Sequence, residues 1–304
     1  MAEVLNTKTT SPDEYVKPIW EGSPTQSGHP DFAREKYLSL APEEFRAYFR
    51  QRIHVSLQKD LFWVIHNDKK LNPKFLETAR KLISIWQERG LPLDAPDYLW
   101  GVEALEIAEN WVNHEIKPDF SQYASYRLTE SELTAFNKVI AERRSVRTWN
   151  DRRVSDETID LLLRAGSLAA ISCNHQATRY IVVREENAPD LVSVNIPQPG
   201  PVHILIFTDE RLYNPNAIMP VKNRLLDVGA VAQNILLTAH AHGLASVWLT
   251  HSDPKVKQLE EYFREHHNLE EWHKLITYIN IGYSDVEPPT VKRLNVEDTV
   301  LARL

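Results

Sequence analysis

Thr129-Glu130-Ser131-Glu132 opens, and Arg143-Arg144-Ser145-Val146-Arg147 closes, the stretch on which the fold turns. Thr at a cap with Glu three residues later is a capping box, which predicts a helix from there through Glu142. Five arginines then fall within eleven positions: Arg143, Arg144, Arg147, Arg152 and Arg153. Two readings of that cluster stand side by side. Cations suit the negative C-terminal end of a helix and can simply be solvated there. Guanidinium groups also grip a phosphate through several donors at once, and Ser145 would add a hydroxyl. Beyond the arginines the pattern alternates. A helix is predicted over 156–167 with Ser155 as its cap, then strands over 180–183 and 203–208. A long helix over 221–242 ends at Gly243. A strand over 246–249, a helix opened by Asp253-Pro254 and a strand over 275–281 complete the series. Helices and strands intermixed, with apolar faces on both, give an α+β or α/β sandwich.

Upstream the pattern is helical throughout. Phe45, Tyr48, Phe49, Ile53 and Leu57 are spaced by three and four within 42–67. Asn72-Pro73 is a cap followed by a proline at the first helical position, and Gly90 can close that helix. A third helix is predicted over 97–114. The resulting divisions are a mobile arm at 1–29 that Trp20 could anchor, a helical extension at 30–127, and a sandwich domain at 128–304. Trp63, Trp86, Trp100 and Trp111 fall in the extension, where core packing and substrate stacking are both open to them.

Composition excludes several classes. Lys and Arg total 35 against 42 Asp and Glu, a net charge of −7, which argues against a nucleic-acid partner. One cysteine, Cys173, allows no intrachain disulfide and no Cys-based zinc site. No apolar run approaches the ~18 residues that span a bilayer, and the start lacks a signal-peptide pattern. A cytoplasmic location is expected. None of the nine glycines is followed by another two positions on, so G-x-G-x-x-G is absent, as is a Walker-type loop. A bound phosphate would need side-chain cations. Cys173 reads as a small apolar residue or a redox group. His240 and His242 cannot share a helix face, and His266 and His267 read as partners of a helix dipole. No metal site is expected.

Arg143-Arg144-Ser145-Val146-Arg147, directly after an amphipathic helix, resembles the R-x-S-x-R motif of the FMN-dependent nitroreductase family. Ala169-Ala170-Ile171-Ser172-Cys173-Asn174-His175-Gln176 resembles the family's A-P-S-x-x-N-x-Q turn before a strand. Asp227 to Asn234, continuing to Gly243-Leu244-Ala245-Ser246-Val247-Trp248, is similar to its central helix and G-L-G-S-x-W exit. Ile281-Gly282-Tyr283, Pro288-Pro289 and Lys292-Arg293 are similar to its last strand and C-terminal arginine. The four matches fall in the family's order across 131–304. Some positions depart from the pattern. Ala170 and Ile171 stand where the family has Pro and Ser, so Ser172 supplies that hydroxyl only if the turn shifts by one residue. Ala245 replaces the second glycine of the exit.

The resemblance implies a three-layer α+β sandwich, a mainly antiparallel sheet between helices, and a homodimer with FMN at the interface. It places Arg143, Ser145 and Arg293 at the FMN phosphate and Arg147 at the flavin N1–C2 edge, and Asn174 would hydrogen-bond the ring's polar edge. Arg144, Ser172 and Gln176 are expected among the cofactor-binding residues, with a backbone N–H of Leu249 or Thr250 facing N5. A cation at the N1–C2 edge suits the negative charge that two-electron reduction puts there. The activity implied is ping-pong hydride transfer from NADH or NADPH to a small organic acceptor, with no catalytic side chain beyond the flavin. A biosynthetic flavin dehydrogenase or oxidase acting on a C–C or C–N bond, and a non-catalytic flavin store, remain alternatives. The connections after the first two strands leave little room for an inserted lid, so the helical extension is expected to cover the site.

Overall fold

The computed structural model describes residues 32–123, 126–196, 198–213, 223–286 and 288–304. The arm expected at 1–29, with Trp20, lies outside them. The chain forms two compact units. The first holds the N-terminal part through Ser125, together with Ser172–Gln176 and Arg211–Val221; the second holds the remainder. Sequence reading puts one boundary at 127/128. The structure also assigns two later segments to the helical unit, and one of them is the turn that carries Asn174.

Within the helical unit, α1 (Arg34–Ser39), α2 (Pro42–Ile53), α3 (Lys59–His66), α4 (Pro73–Glu88) and α5 (Pro96–His114) share one core. Phe45, Phe49 and Trp86 interlock at its centre, with ring centroids 4.9 to 6.4 Å apart. Gly101 on α5 lets that helix come close, because a Cβ there would stand 2.5 Å from the Phe49 ring. Asn72 caps α4 by accepting from the Lys74 amide at 3.0 Å. Between α2 and α3, His54–Gln58 forms a π turn, a widening that hydrophobic periodicity does not announce. The tryptophans divide: Trp86 and Trp111 are buried, Trp63 is exposed, and Trp100 is half-buried.

The second unit is α+β. Its sheet has the order β1-β2-β4-β3, all neighbours antiparallel. The strands are β1 (Thr178–Arg184), β2 (Val202–Asp209), β3 (Ala245–Leu249) and β4 (His273–Gly282). On one face α7 (Asp156–Ser167) and α9 (Asn223–Ala241) pack over Val202, Ile204, Ile206, Ile279 and Ile281. On the other, α8 (Pro189–Asn195) and α10 (Asp253–His267) pack over Leu205, Phe207, Leu275 and Tyr278. This is why β2 reads His-Ile-Leu-Ile-Phe-Thr without alternation: every residue of it is buried. The helix α8, absent from the sequence reading, fills the β1–β2 connection. The capping box is formed at Thr129, and α6 (Glu130–Glu142) follows it with no buried residue of its own. A short helix, α11 (Val296–Thr299), lies in the exposed C-terminal segment.

Candidate functional site

In the sandwich unit the arginine motif is an added edge of the sheet. The Val146 amide donates to the Ser246 carbonyl at 3.0 Å, and Ser145 pairs with Ser246 in a parallel bridge beside β3. Four residues on, the Asn150 amide donates to the Tyr283 carbonyl at 2.8 Å. Backbone bonds thus fix the segment and leave its side chains for other work. Burial, and then the charge of Arg293, lowers the pKa of the half-buried Arg143 guanidinium. Among the described residues neither arginine has a carboxylate partner, and Arg147, exposed, has none either.

The other arginines separate from that pair. Arg144 lines a cavity of about 370 Å3 with Lys138, Glu142, His240 and Ser246, whose walls do not include Arg143 or Arg293. Arg152 lies 3.8 Å over the Tyr283 ring, and Arg153 pairs with Glu186 at 3.2 Å. A run of five that looks uniform in sequence is therefore divided: Arg143 is half-buried near Arg293, Arg147 is exposed, and Arg144, Arg152 and Arg153 are engaged elsewhere.

At the end of β3, Trp248 Nε1 donates to Thr277 Oγ1 at 2.6 Å, and Thr277 donates to the Leu249 carbonyl. This chain fixes the half-buried Leu249, and Thr250 beyond it is exposed. His251 follows, stacked on Tyr278 at 4.2 Å and 14°, with both ring nitrogens buried and without a partner among the described residues. Burial, then the charges of Lys255 and His203, push its pKa from 6.5 down to about 4. The unfolded chain therefore binds a proton on this histidine that the folded chain refuses. Stability is complete above pH 6.5 and declines as the pH falls toward 4. His251→Phe keeps the stack and should flatten urea-unfolding stability across that window; an unchanged slope would mean that His251 does not set it.

In the helical unit the turn Ser172–Gln176 takes a costly path. Cys173, Asn174 and Gln176 have φ of +47°, +54° and +53°, left-handed values that non-glycine residues seldom adopt. Gln176 Nε2 donates to Asn174 Oδ1 at 3.0 Å, and His175 is buried edge-on to Tyr213. The His175 carbonyl accepts from Arg50 Nη2 at 2.7 Å. Arg50 Nη1 also reaches Asp97 Oδ2 at 2.9 Å, and Arg46 grips both Asp97 oxygens at 2.8 and 2.9 Å. Burial alone would raise the Asp97 pKa, but the hydrogen bonds and charges of Arg46 and Arg50 outweigh it and hold the carboxyl below the usual range. A cavity of about 210 Å3 lies among Arg46, Arg50, Asp97, Trp100, Asn174 and Gln176. Sequence reading names Asn174 and Gln176 as cofactor-binding candidates and does not name Arg46, Arg50 or Asp97. Among the described residues no group of three His, Cys, Asp or Glu side chains is placed to hold a metal, and no helix is long and apolar enough to cross a membrane.

Residues 140–196 and 190–283 match the model of the Nitroreductase family. Over residues 140–283 the chain is thus similar to the nitroreductase family. A protein of Archaeoglobus fulgidus, provisionally named NADH dehydrogenase/NAD(P)H nitroreductase, is 34% identical over 118 residues, which are 37% of this chain and 65% of that protein. One of the same name from Methanothermobacter thermautotrophicus is 30% identical over 116 residues, 36% of this chain and 58% of that protein. The chain thus spans less than two thirds of either relative. A crystal structure from Desulfovibrio desulfuricans, described as a nitroreductase in complex with FMN, shares 26% identity at a TM-score of 0.49, covering 55% of this chain and 96% of that one. The nitroreductase match includes Arg143, Arg147, Asn174 and Leu249, while Arg293 and the helices before residue 128 lie outside it.

Proposed function

We propose that this protein is an FMN-dependent oxidoreductase of the nitroreductase family. The observation that carries the reading is the Arg143–Arg293 pair, two neighbouring cations with no carboxylate partner among the described residues. That pair fits a phosphate, and Ser145 beside it supplies a hydroxyl. Arg147 would stabilise charge at the flavin N1–C2 edge, and Asn174 and Gln176 would bond the ring's polar atoms. Ser172 would lend its hydroxyl to the same edge. The Leu249–Thr250 backbone would face N5. Arg144 would add positive potential near the phosphate rather than a direct contact. The chemistry that bound FMN supplies is ping-pong hydride transfer at N5, from NADH or NADPH and then to a small organic acceptor. The chain's own residues bind, orient and screen charge, and none is required as a nucleophile.

We further propose a cytoplasmic homodimer with FMN at its interface. The support is an apolar surface without a cover: Leu133, Phe136 and Ile140 share one face of α6 and are all exposed, as are Leu225 and Leu226 at the start of α9. The exposed Val291, Leu294, Val296 and Leu301 of the C-terminal segment extend it in sequence. A second copy of the chain is the occupant proposed. The purified protein should be a yellow dimer in light scattering, with about one FMN per chain, and NADH or NADPH should bleach it rapidly under argon. Bleaching only by a metabolite would favour a biosynthetic dehydrogenase, and a flavin that nothing reduces would favour storage. A colourless protein that takes up no FMN would overturn the reading.

A further inference from the structure

We infer that Arg50, locked by Asp97 and Arg46, is a positioning residue for the turn whose Asn174 and Gln176 would bond the flavin. The inference rests on the FMN reading above, because it concerns the turn that carries Asn174 and Gln176.

The turn takes a strained path. Three of its five residues are non-glycine residues at positive φ, a conformation that L side chains seldom adopt without outside support. Within it the His175 amide donates to the Ser172 carbonyl at 3.2 Å. The helical unit contributes support against that strain. Ser172–Asn174 packs on α2 and on the π turn that follows it. At the centre of that contact the buried Arg50 donates to the His175 carbonyl. A guanidinium serves here where an ammonium would not, because its planar fork meets two acceptors in fixed directions. Arg50 spends one arm on the turn and the other on Asp97. Asp97 is in turn held by Arg46 through both oxygens, so Arg50 has no freedom to swing away.

The consequence reaches the residues that would touch flavin. Asn174 Oδ1 already accepts from Gln176, so the Asn174 carboxamide presents its Nδ2 as a donor. A displaced His175 carbonyl would rotate the peptides on either side of it and re-aim both carboxamides. Asn174 and Gln176 therefore bond acceptor atoms of the ring edge only while Arg50 holds the turn.

The same unit contains its own control. Arg89 donates to the carbonyls of Tyr37 and Leu40, a similar clamp that involves no residue of the turn. Three variants of the full-length protein separate positioning from general stability: Arg50→Lys, Arg46→Lys and Arg89→Lys. FMN affinity, the visible spectrum of bound flavin and amide exchange of peptides covering 172–176 in the flavin-free protein are measured for each. Arg50→Lys should weaken FMN about tenfold, shift the flavin spectrum and deprotect the turn, in line with a lost charge-assisted bond. Arg46→Lys, on a half-exposed residue that leaves the His175 bond in place, should do the same in smaller measure even if Arg50→Lys folds poorly. Arg89→Lys should lower the melting temperature without moving spectrum or turn protection. If the lysine variants of Arg50 and Arg46 match Arg89→Lys in all three readouts, the positioning role is wrong and the FMN reading stands. If wild-type protein takes up no FMN, both fall.

Discussion

Arg143→Ala and Arg293→Ala are each expected to weaken FMN binding by roughly ten- to a hundred-fold, the loss of one charge-assisted phosphate contact at about 1.5–3 kcal/mol. The effect has a signature that ordinary damage lacks. Burial and the charge of Arg293 already disfavour the protonated Arg143 guanidinium in the folded chain. Removing either cation relieves that repulsion, so the flavin-free variants should melt no earlier than wild type while retaining less flavin. Arg152→Ala is the internal control. Its guanidinium is stacked on Tyr283, so it should cost stability and leave flavin affinity unchanged. Dialysis at high dilution, followed by flavin fluorescence in the filtrate, reads the affinities directly. Full retention by both alanine variants would place the phosphate elsewhere.

The residues explain which parts of this reading were legible beforehand. Thr129 and Glu132 announce α6 because a capping box is a local device, complete within four residues. The apolar run of β2 announces a strand buried on both faces, and the Gly243 turn marks the end of α9. The arginine cluster is visible but its division is not. Whether a guanidinium meets Arg293, Tyr283 or Glu186 depends on chain brought from 33 to 150 positions away, and neighbouring arginines look alike. The Arg46–Asp97–Arg50 group is hidden for the same reason. Arg46 and Arg50 are one turn apart on α2 and share a face, but nothing local singles out a carboxylate 47 residues further on. Nor does any local pattern assign Ser172–Gln176 to the helical unit, since its motif reads as part of the sandwich.

Asp97→Ala is expected to have the largest effect on stability of any single change in the helical unit. It removes the carboxylate that pairs with Arg50 at 2.9 Å and so breaks an ion pair whose guanidinium is only 6% exposed. Breaking a buried pair in this way typically costs about 3–5 kcal/mol. Asp97→Asn keeps the shape and one acceptor and should cost less. The acid response carries the sign. Because the folded carboxyl titrates below its ordinary range, its contribution is present above about pH 3.9 and disappears as the pH falls through the depressed folded value. His251 acts earlier, between 6.5 and about 4, and it belongs to the sandwich unit. Acidification should therefore loosen the two units in order. Amide exchange in peptides around β3 and β4 should rise first, through the His251 window, and protection of α2 and α5 should be lost only below about pH 4. Asp97→Asn should blunt the second step and leave the first, whereas His251→Phe should do the reverse. A single acid transition, moved equally by both substitutions, would mean that neither group governs its own unit.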